Sequence, residues 1–232
     1  MVYSYIAVVI TFILAGFTSY YFTVPDKISS RVLYKALASV GFVVVGILSL
    51  IPRNCPDLIY SGGILLALIL GLMGDMLLSL HPFLNKKEAD KFNLAGMLCF
   101  LLGHVMYYIV FVRETGFNPW TIPFILILPI ACFALIKMKI IEAQQKAPAF
   151  TLPILIYSLI ISCMLVQGVY LYITGAIAPA ALILIGSLLF VISDSTLIFH
   201  NFSRFSRKWM MPLCLMFYYS AQILFALSIF YY

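Results

Sequence analysis

The chain is expected to be an all-α, polytopic integral membrane bundle of about eight transmembrane helices, and three observations predict it. Of its 232 residues 64% are hydrophobic and only 9% charged, whereas a soluble domain carries roughly 25% charged residues. So few charges cannot cover a water-facing surface. Long apolar runs recur along the chain, and the alternating pattern of a membrane barrel is absent.

Each run is justified by length. A bilayer core ~30 Å thick needs ~20 apolar residues per helix. The runs fall at about 3–22, 31–51, 58–80, 92–112, 119–136, 150–171, 177–200 and 208–231. Helices are the default there because each satisfies its own backbone hydrogen bonds in lipid. The first run has no positive residue before its apolar stretch, so it is expected to remain as a helix rather than act as a cleaved signal. The loops are short, and residues 1–232 read as a single transmembrane domain. Of five cysteines, Cys99, Cys132, Cys163 and Cys214 fall inside spans and Cys55 in a loop. They lack metal-type spacing and read as small packing residues.

The net charge of +6 is distributed by topology rather than as a nucleic-acid surface. Lys27 and Arg31 belong to the first loop, and Lys86, Lys87 and Lys91 to the third. Lys137, Lys139 and Lys146 belong to the fifth, and Arg204, Arg207 and Lys208 to the seventh. The even loops hold Arg53 and Arg113. Excess Lys and Arg marks the cytoplasmic side, which puts both termini outside the cytoplasm. The expected setting is a bacterial inner membrane.

The third and seventh runs share a signature. Gly74-Asp75 through Leu78, His81 and Phe83 aligns with Ser193-Asp194 through Leu197, His200 and Phe202. Both runs point the same way, so the chain is expected to form two four-helix halves related by a parallel repeat, with a site at their interface.

Charged groups inside a span are costly and functional by default. Six of the eight acids fall in loops; Asp75 and Asp194 do not. Both lie about two turns from the cytoplasmic ends of their spans, beside small residues that admit a neighbouring helix or ligand. Two carboxyl groups sharing one site supply an acid and a base at neutral pH. Lys35, near the same level, is placed to neutralise one aspartate, bind a phosphate or snorkel to the headgroups. The fourth run carries a polar and small stripe of Asn93, Gly96, Phe100, Gly103, His104 and Tyr107 at helical spacing. Tyr157 in the sixth run and Tyr218 and Gln222 in the eighth complete the candidate set, with Ser193 beside Asp194. His81 and His200 read as interfacial. Asp75, Asp194 and His104 would make a zinc site with one open position, but a single histidine is poor zinc spacing, and no metal or other cofactor is expected. There is no Gly-x-Ser-x-Gly element, which argues against an acyl-enzyme.

Gly74-Asp75, Gly103-His104 to Tyr107, Ser193-Asp194 and Tyr218-Tyr219 to Gln222, in this order and spacing, resemble the YhhN-type lysoplasmalogenase family over nearly the whole chain. The lysine of the second span precedes Ala36 here, where the family pattern has proline. The resemblance implies hydrolysis of the vinyl ether bond of a lysophospholipid, giving a fatty aldehyde and glycerophosphoethanolamine or glycerophosphocholine. It implies Asp75 and Asp194 as the catalytic pair, Lys35 at the phosphate, and His104, Tyr107, Tyr157, Tyr218 and Gln222 around the pocket. The competing class is a proton-coupled or small-solute transporter, since buried acids also form proton relays. The spans lack the paired Gly/Pro breaks of many transporters.

Overall fold

The computed structural model describes residues 2–24, 26–51, 57–142 and 151–232. Eight helical segments are long and apolar enough to cross a membrane. They comprise α1 (Val2–Phe22), α2 (Ile28–Leu50), α3 (Leu58–Ser79), α4 (Lys86–Thr115), α5 (Ile122–Ile125) with α6 (Ile127–Lys137), α7 (Thr151–Thr174), α8 (Ala180–Phe202) and α9 (Met210–Tyr231). Arg53, Cys55 and Lys146 lie outside the described residues.

Local chemistry sets the boundaries. Asp57 caps α3 by accepting from the Ile59 and Tyr60 amides at 2.9 Å. Asn85 caps α4 and exchanges hydrogen bonds with Glu88. Gly116, at φ 74°, ends α4. The expected span at 92–112 is only the middle of α4, which has 30 residues. At 1.5 Å per residue it is about 45 Å long, more than the bilayer core requires. Its first turns, from Lys86 to Lys91, therefore extend beyond the apolar stretch. The fifth segment is broken between α5 and α6. Pro129 lacks an N–H, and its ring crowds the carbonyl four residues back, at Ile125, which is the last residue of α5.

The packing repeats. In the first half α1 packs on α2, α2 on α3 and α3 on α4. In the second α6 packs on α7, α7 on α8 and α8 on α9. Across the halves α4 packs on α7 and α9 on α2. Exchanging the halves maps each of these contacts onto the other. The result is a ring of α2, α3, α4, α7, α8 and α9, with α1 and α6 outside it. The symmetry is incomplete: α9 also packs on α1 and α3, and its span is the most buried. The repeated signature diverges too. His81 to Phe83 forms a 3-10 turn containing Pro82, whereas His200 to Phe202 remains α-helical. Both helical segments still finish eight residues past their aspartate.

One end of the ring is filled by aromatic side chains, among them Tyr60, Phe111 and Phe225. The end that carries the basic loops encloses a cavity of about 530 Å³. Cys99, Cys132, Cys163 and Cys214 are free thiols.

Candidate functional site

Both aspartates line that cavity, together with Lys35, Asn93, Tyr157, Ser193 and Tyr218. They reach it from α3 and α8, equivalent helices of the two halves. No hydrogen bond joins the two carboxyls among the described residues; each is held by its own neighbours.

Asp75 is 2% exposed and held from α2 and α9. The Lys35 ammonium lies 3.0 Å from Oδ1. Lys35 is buried, so it does not snorkel, and its ammonium neutralises Asp75. On the same face of α2, one turn further on, Ser39 Oγ lies 2.6 Å from Asp75 Oδ2 and 2.9 Å from the Lys35 carbonyl. Its single proton goes to the charged acceptor. Tyr218 donates to the same Oδ2 at 2.7 Å from α9. With donors on both oxygens, Asp75 is a carboxylate in a buried ion pair.

Behind Tyr218 runs a directional chain. Tyr107 donates to Gln222 Oε1 at 2.7 Å, and Gln222 Nε2 donates to the Tyr218 hydroxyl at 3.2 Å. Gly71 makes room for it, since a Cβ there would stand 2.5 Å from Gln222 Nε2. Similarly, a Cβ on Gly74 would meet Phe100 at 2.7 Å. Tyr107 and Gln222 therefore stand behind the cavity wall and orient Tyr218, rather than lining the cavity themselves.

Asp194 has different partners. Tyr157 of α7 donates to Oδ2 at 2.7 Å. His104 Nε2 of α4 lies 2.8 Å from the Tyr157 hydroxyl and 3.5 Å from the same Oδ2. The Tyr157 proton is committed to Asp194, so the Tyr157 oxygen accepts from His104 Nε2–H. Among the described residues Nδ1 of His104 is buried without a hydrogen-bond partner. Its ring stands edge-on to Phe190 at 4.5 Å. Like Gln222, His104 lies behind the cavity wall and orients the group in front. Asp194 Oδ1 has no hydrogen-bond partner among the described residues. Among those residues, no three His, Cys, Asp or Glu side chains cluster closely enough to hold a metal ion.

The mouth contains groups the sequence reading assigned only to topology. Arg31 lies one turn before Lys35, with its guanidinium 4.8 Å from the Phe22 ring, and it lines the cavity with His81, Asp90 and Asn201. His200 faces Ser206 at 3.2 Å instead. Arg31, Lys35 and Ser39 recur at every fourth position, and that helical spacing was the available signal for Arg31 and Ser39.

These features define a polytopic membrane protein with a polar cavity and two independently supported carboxyls inside the bundle. The family model described as the YhhN family matches residues 30–229, and the chain belongs to that family. No curated protein and no solved structure matches it.

Proposed function

We propose that the protein is a lysoplasmalogenase-like hydrolase, cleaving the vinyl ether of a lysophospholipid to a fatty aldehyde and a glycerophospho-alcohol. The observation that carries this reading is one polar cavity containing both an ion-paired carboxylate and a carboxyl with one oxygen that has no hydrogen-bond partner among the described residues. Family membership supports it.

Vinyl ethers hydrolyse by protonation of the β-carbon. Asp194, with Oδ1 unengaged, delivers that proton and leaves an oxocarbenium ion. Asp75, paired with Lys35 and accepting from Ser39 and Tyr218, provides negative charge that is already in place as the cation develops. Water adds to the oxocarbenium carbon, and its proton returns to Asp194. The hemiacetal then collapses to aldehyde and alcohol. Over the cycle one water is consumed and the carboxyl is regenerated.

Arg31 suits the phosphate, because a guanidinium pairs with it in a fork. Asp90 at the same mouth suits the cationic end of a zwitterionic headgroup. The basic end faces the cytoplasm in this reading, and both termini face away from it. Cysteine labelling of loop positions tests that orientation, and a labelled cytoplasmic C-terminus would reverse it.

The deciding experiment incubates purified protein in detergent with lysoplasmalogen and measures aldehyde. Release by wild type and its loss in Asp194→Asn is expected. Wild type that releases no aldehyde but moves protons or solutes in proteoliposomes would make the protein a transporter.

A further inference from the structure

We propose that an apolar cleft between α6, α7 and α8 holds the hydrocarbon chain of the substrate, so that Asp194 and Tyr157 stand at the seam between head and tail. This rests on the reading of the protein as a lysolipid hydrolase and adds the site that positions the tail.

The cleft is separate from the main cavity but touches it. It encloses about 90 Å³, and its walls include Leu128, Leu135, Ile161, Val191 and Phe199. The two spaces share Tyr157, Asp194 and Ile198 as walls. On one side of Asp194 lie Lys35, Asn93 and Ser193; on the other the walls are mostly aliphatic and aromatic carbons, with the hydroxyls of Ser158 and Ser195 among them. The Ser158 hydroxyl on the apolar side donates back to the Leu155 carbonyl at 2.8 Å, so it offers the cleft no free proton. A predominantly apolar space of this kind holds water poorly, and without hydrocarbon its walls forfeit dispersion contacts. A hydrocarbon segment restores them.

The chemistry requires the same arrangement. In an alkenyl lysolipid the ether oxygen joins the polar head to the chain, and the carbon to be protonated is the second carbon on the chain side. A proton donor for that carbon belongs where a polar cavity gives way to an apolar one, and Asp194 occupies that position. The cleft also reaches the outer surface. Ala131 on α6 is one of its walls and is exposed. Helix α6 lies outside the ring and is short because of the break before Pro129. A chain can therefore extend from Asp194 past Ala131 into surrounding lipid.

Lipid tails are already as apolar as the cleft walls, so moving the chain from bilayer to cleft adds little affinity. Its contribution is register: it fixes which carbon faces Asp194. Closing the cleft should therefore slow long-chain substrates far more than short ones.

The test uses the full chain in detergent with two alkenyl lysophosphocholines, one with a sixteen-carbon and one with a four-carbon chain. Ala131→Trp, an exposed substitution expected to fold, should reduce turnover of the long substrate by about tenfold or more, the scale of pocket-size discrimination. Turnover of the short substrate should stay within about twofold, since its register does not use the cleft. An equal fall for both substrates, or no fall for either, would overturn the proposal.

A binding measurement separates this failure from failure of the hydrolase reading. Cys132 lies in the cleft wall. In a chain whose other four cysteines are Ala, a non-hydrolysable hexadecyl ether lysophosphocholine should slow N-ethylmaleimide labelling of Cys132 several-fold, and its butyl analogue should not. Protection without aldehyde release would retain the tail site and remove the hydrolase. Aldehyde release without chain-dependent protection would do the reverse.

Discussion

Asp75 and Asp194 occupy equivalent positions on equivalent helices, yet their surroundings have opposite character. Asp75 is flanked by the second and eighth spans, Asp194 by the sixth and fourth, and exchange of the halves maps one pair of spans onto the other. The cradle is therefore repeated while the side chains in it are not. Around Asp75 the repeat supplies an ammonium and two hydroxyls at 2.6–3.0 Å. Around Asp194 it supplies a phenol in contact and an imidazole behind it. One half gives its carboxyl an ammonium and two hydroxyl partners; the other leaves one carboxyl oxygen without a hydrogen-bond partner among the described residues. In the proposed mechanism, a duplicated scaffold thus divides the work of an acid–base pair by changing a few neighbours around equivalent positions.

The sharpest way to break this comparison is to remove each carboxyl in turn. Asp194→Asn should lower turnover by about 10³-fold or more, near the upper range for general acid catalysis. Asp75→Asn should cost about 10²-fold, as for a lost electrostatic stabiliser. The double variant should lose little beyond Asp194→Asn, since residues acting together are non-additive. Aldehyde release by monodisperse protein measures all three. Near-normal turnover in a well-folded Asp194→Asn would end the assignment of roles.

The ion pair comes next. Lys35→Met leaves a carboxylate buried without its counter-charge, a change that typically destabilises by about 3–5 kcal/mol. Combining it with Asp75→Asn should recover most of that loss, because neither charge then remains buried. Thermal unfolding of the single and double variants in detergent gives the comparison. Two equally unstable variants would show that Lys35 matters for packing rather than for charge.

Smaller effects are expected from the supporting shell. Tyr157→Phe removes the hydrogen bond to Asp194 Oδ2 and should lower kcat by about tenfold or more with little change in KM. Gln222→Leu acts on Asp75 only through Tyr218 and should lower it by less. Arg31→Ala should instead raise KM, because phosphate contact is common to ground and transition states. A pure kcat effect at Arg31 would remove it from headgroup binding.

The spans and the buried aspartates were legible because membrane burial leaves a coarse composition signal: a carboxylate such as Asp75 stands out in an apolar run. Lys35 could be recognised as a partner but not assigned to one. A helical face fixes direction, and only packing shows that α3 rather than lipid stands opposite. Ser39 was less visible, since serine is common inside spans and carries no charge. Tyr107, His104 and Gln222 were visible as a polar set at helical spacing, but their places behind Tyr218 and Tyr157 depend on rotamers. The broken fifth span follows from Pro129, and the long α4 from the capping exchange of Asn85 with Glu88; hydropathy registers neither.

The ion pair at the far end sharpens the contrast by being exposed. Arg113 grips Asp57 with two nitrogens, at 2.8 and 3.0 Å, a fork geometry resembling recognition elsewhere in proteins. The Arg113 hydrogen bond is the main reason the Asp57 carboxyl is held down to about 2 from its usual 3.8, with the Tyr60 amide contributing next. The pKa is depressed in the folded state. Its stabilising contribution is therefore complete above the unfolded value and is lost as pH falls from about 4 to about 2. Water screens this pair as it cannot screen Lys35 and Asp75, and exposed ion pairs contribute little. Asp57→Asn retains a good capping side chain and removes only the charge. The variant should match wild-type aldehyde release and lose at most about 2 °C of thermal stability at neutral pH. That difference should shrink toward zero between pH 4 and pH 2, because wild type loses the same charge there. A loss unchanged across that interval would show that the charge is not its cause, and a larger loss at neutral pH that still vanishes by pH 2 would give this pair more weight than exposed ion pairs carry.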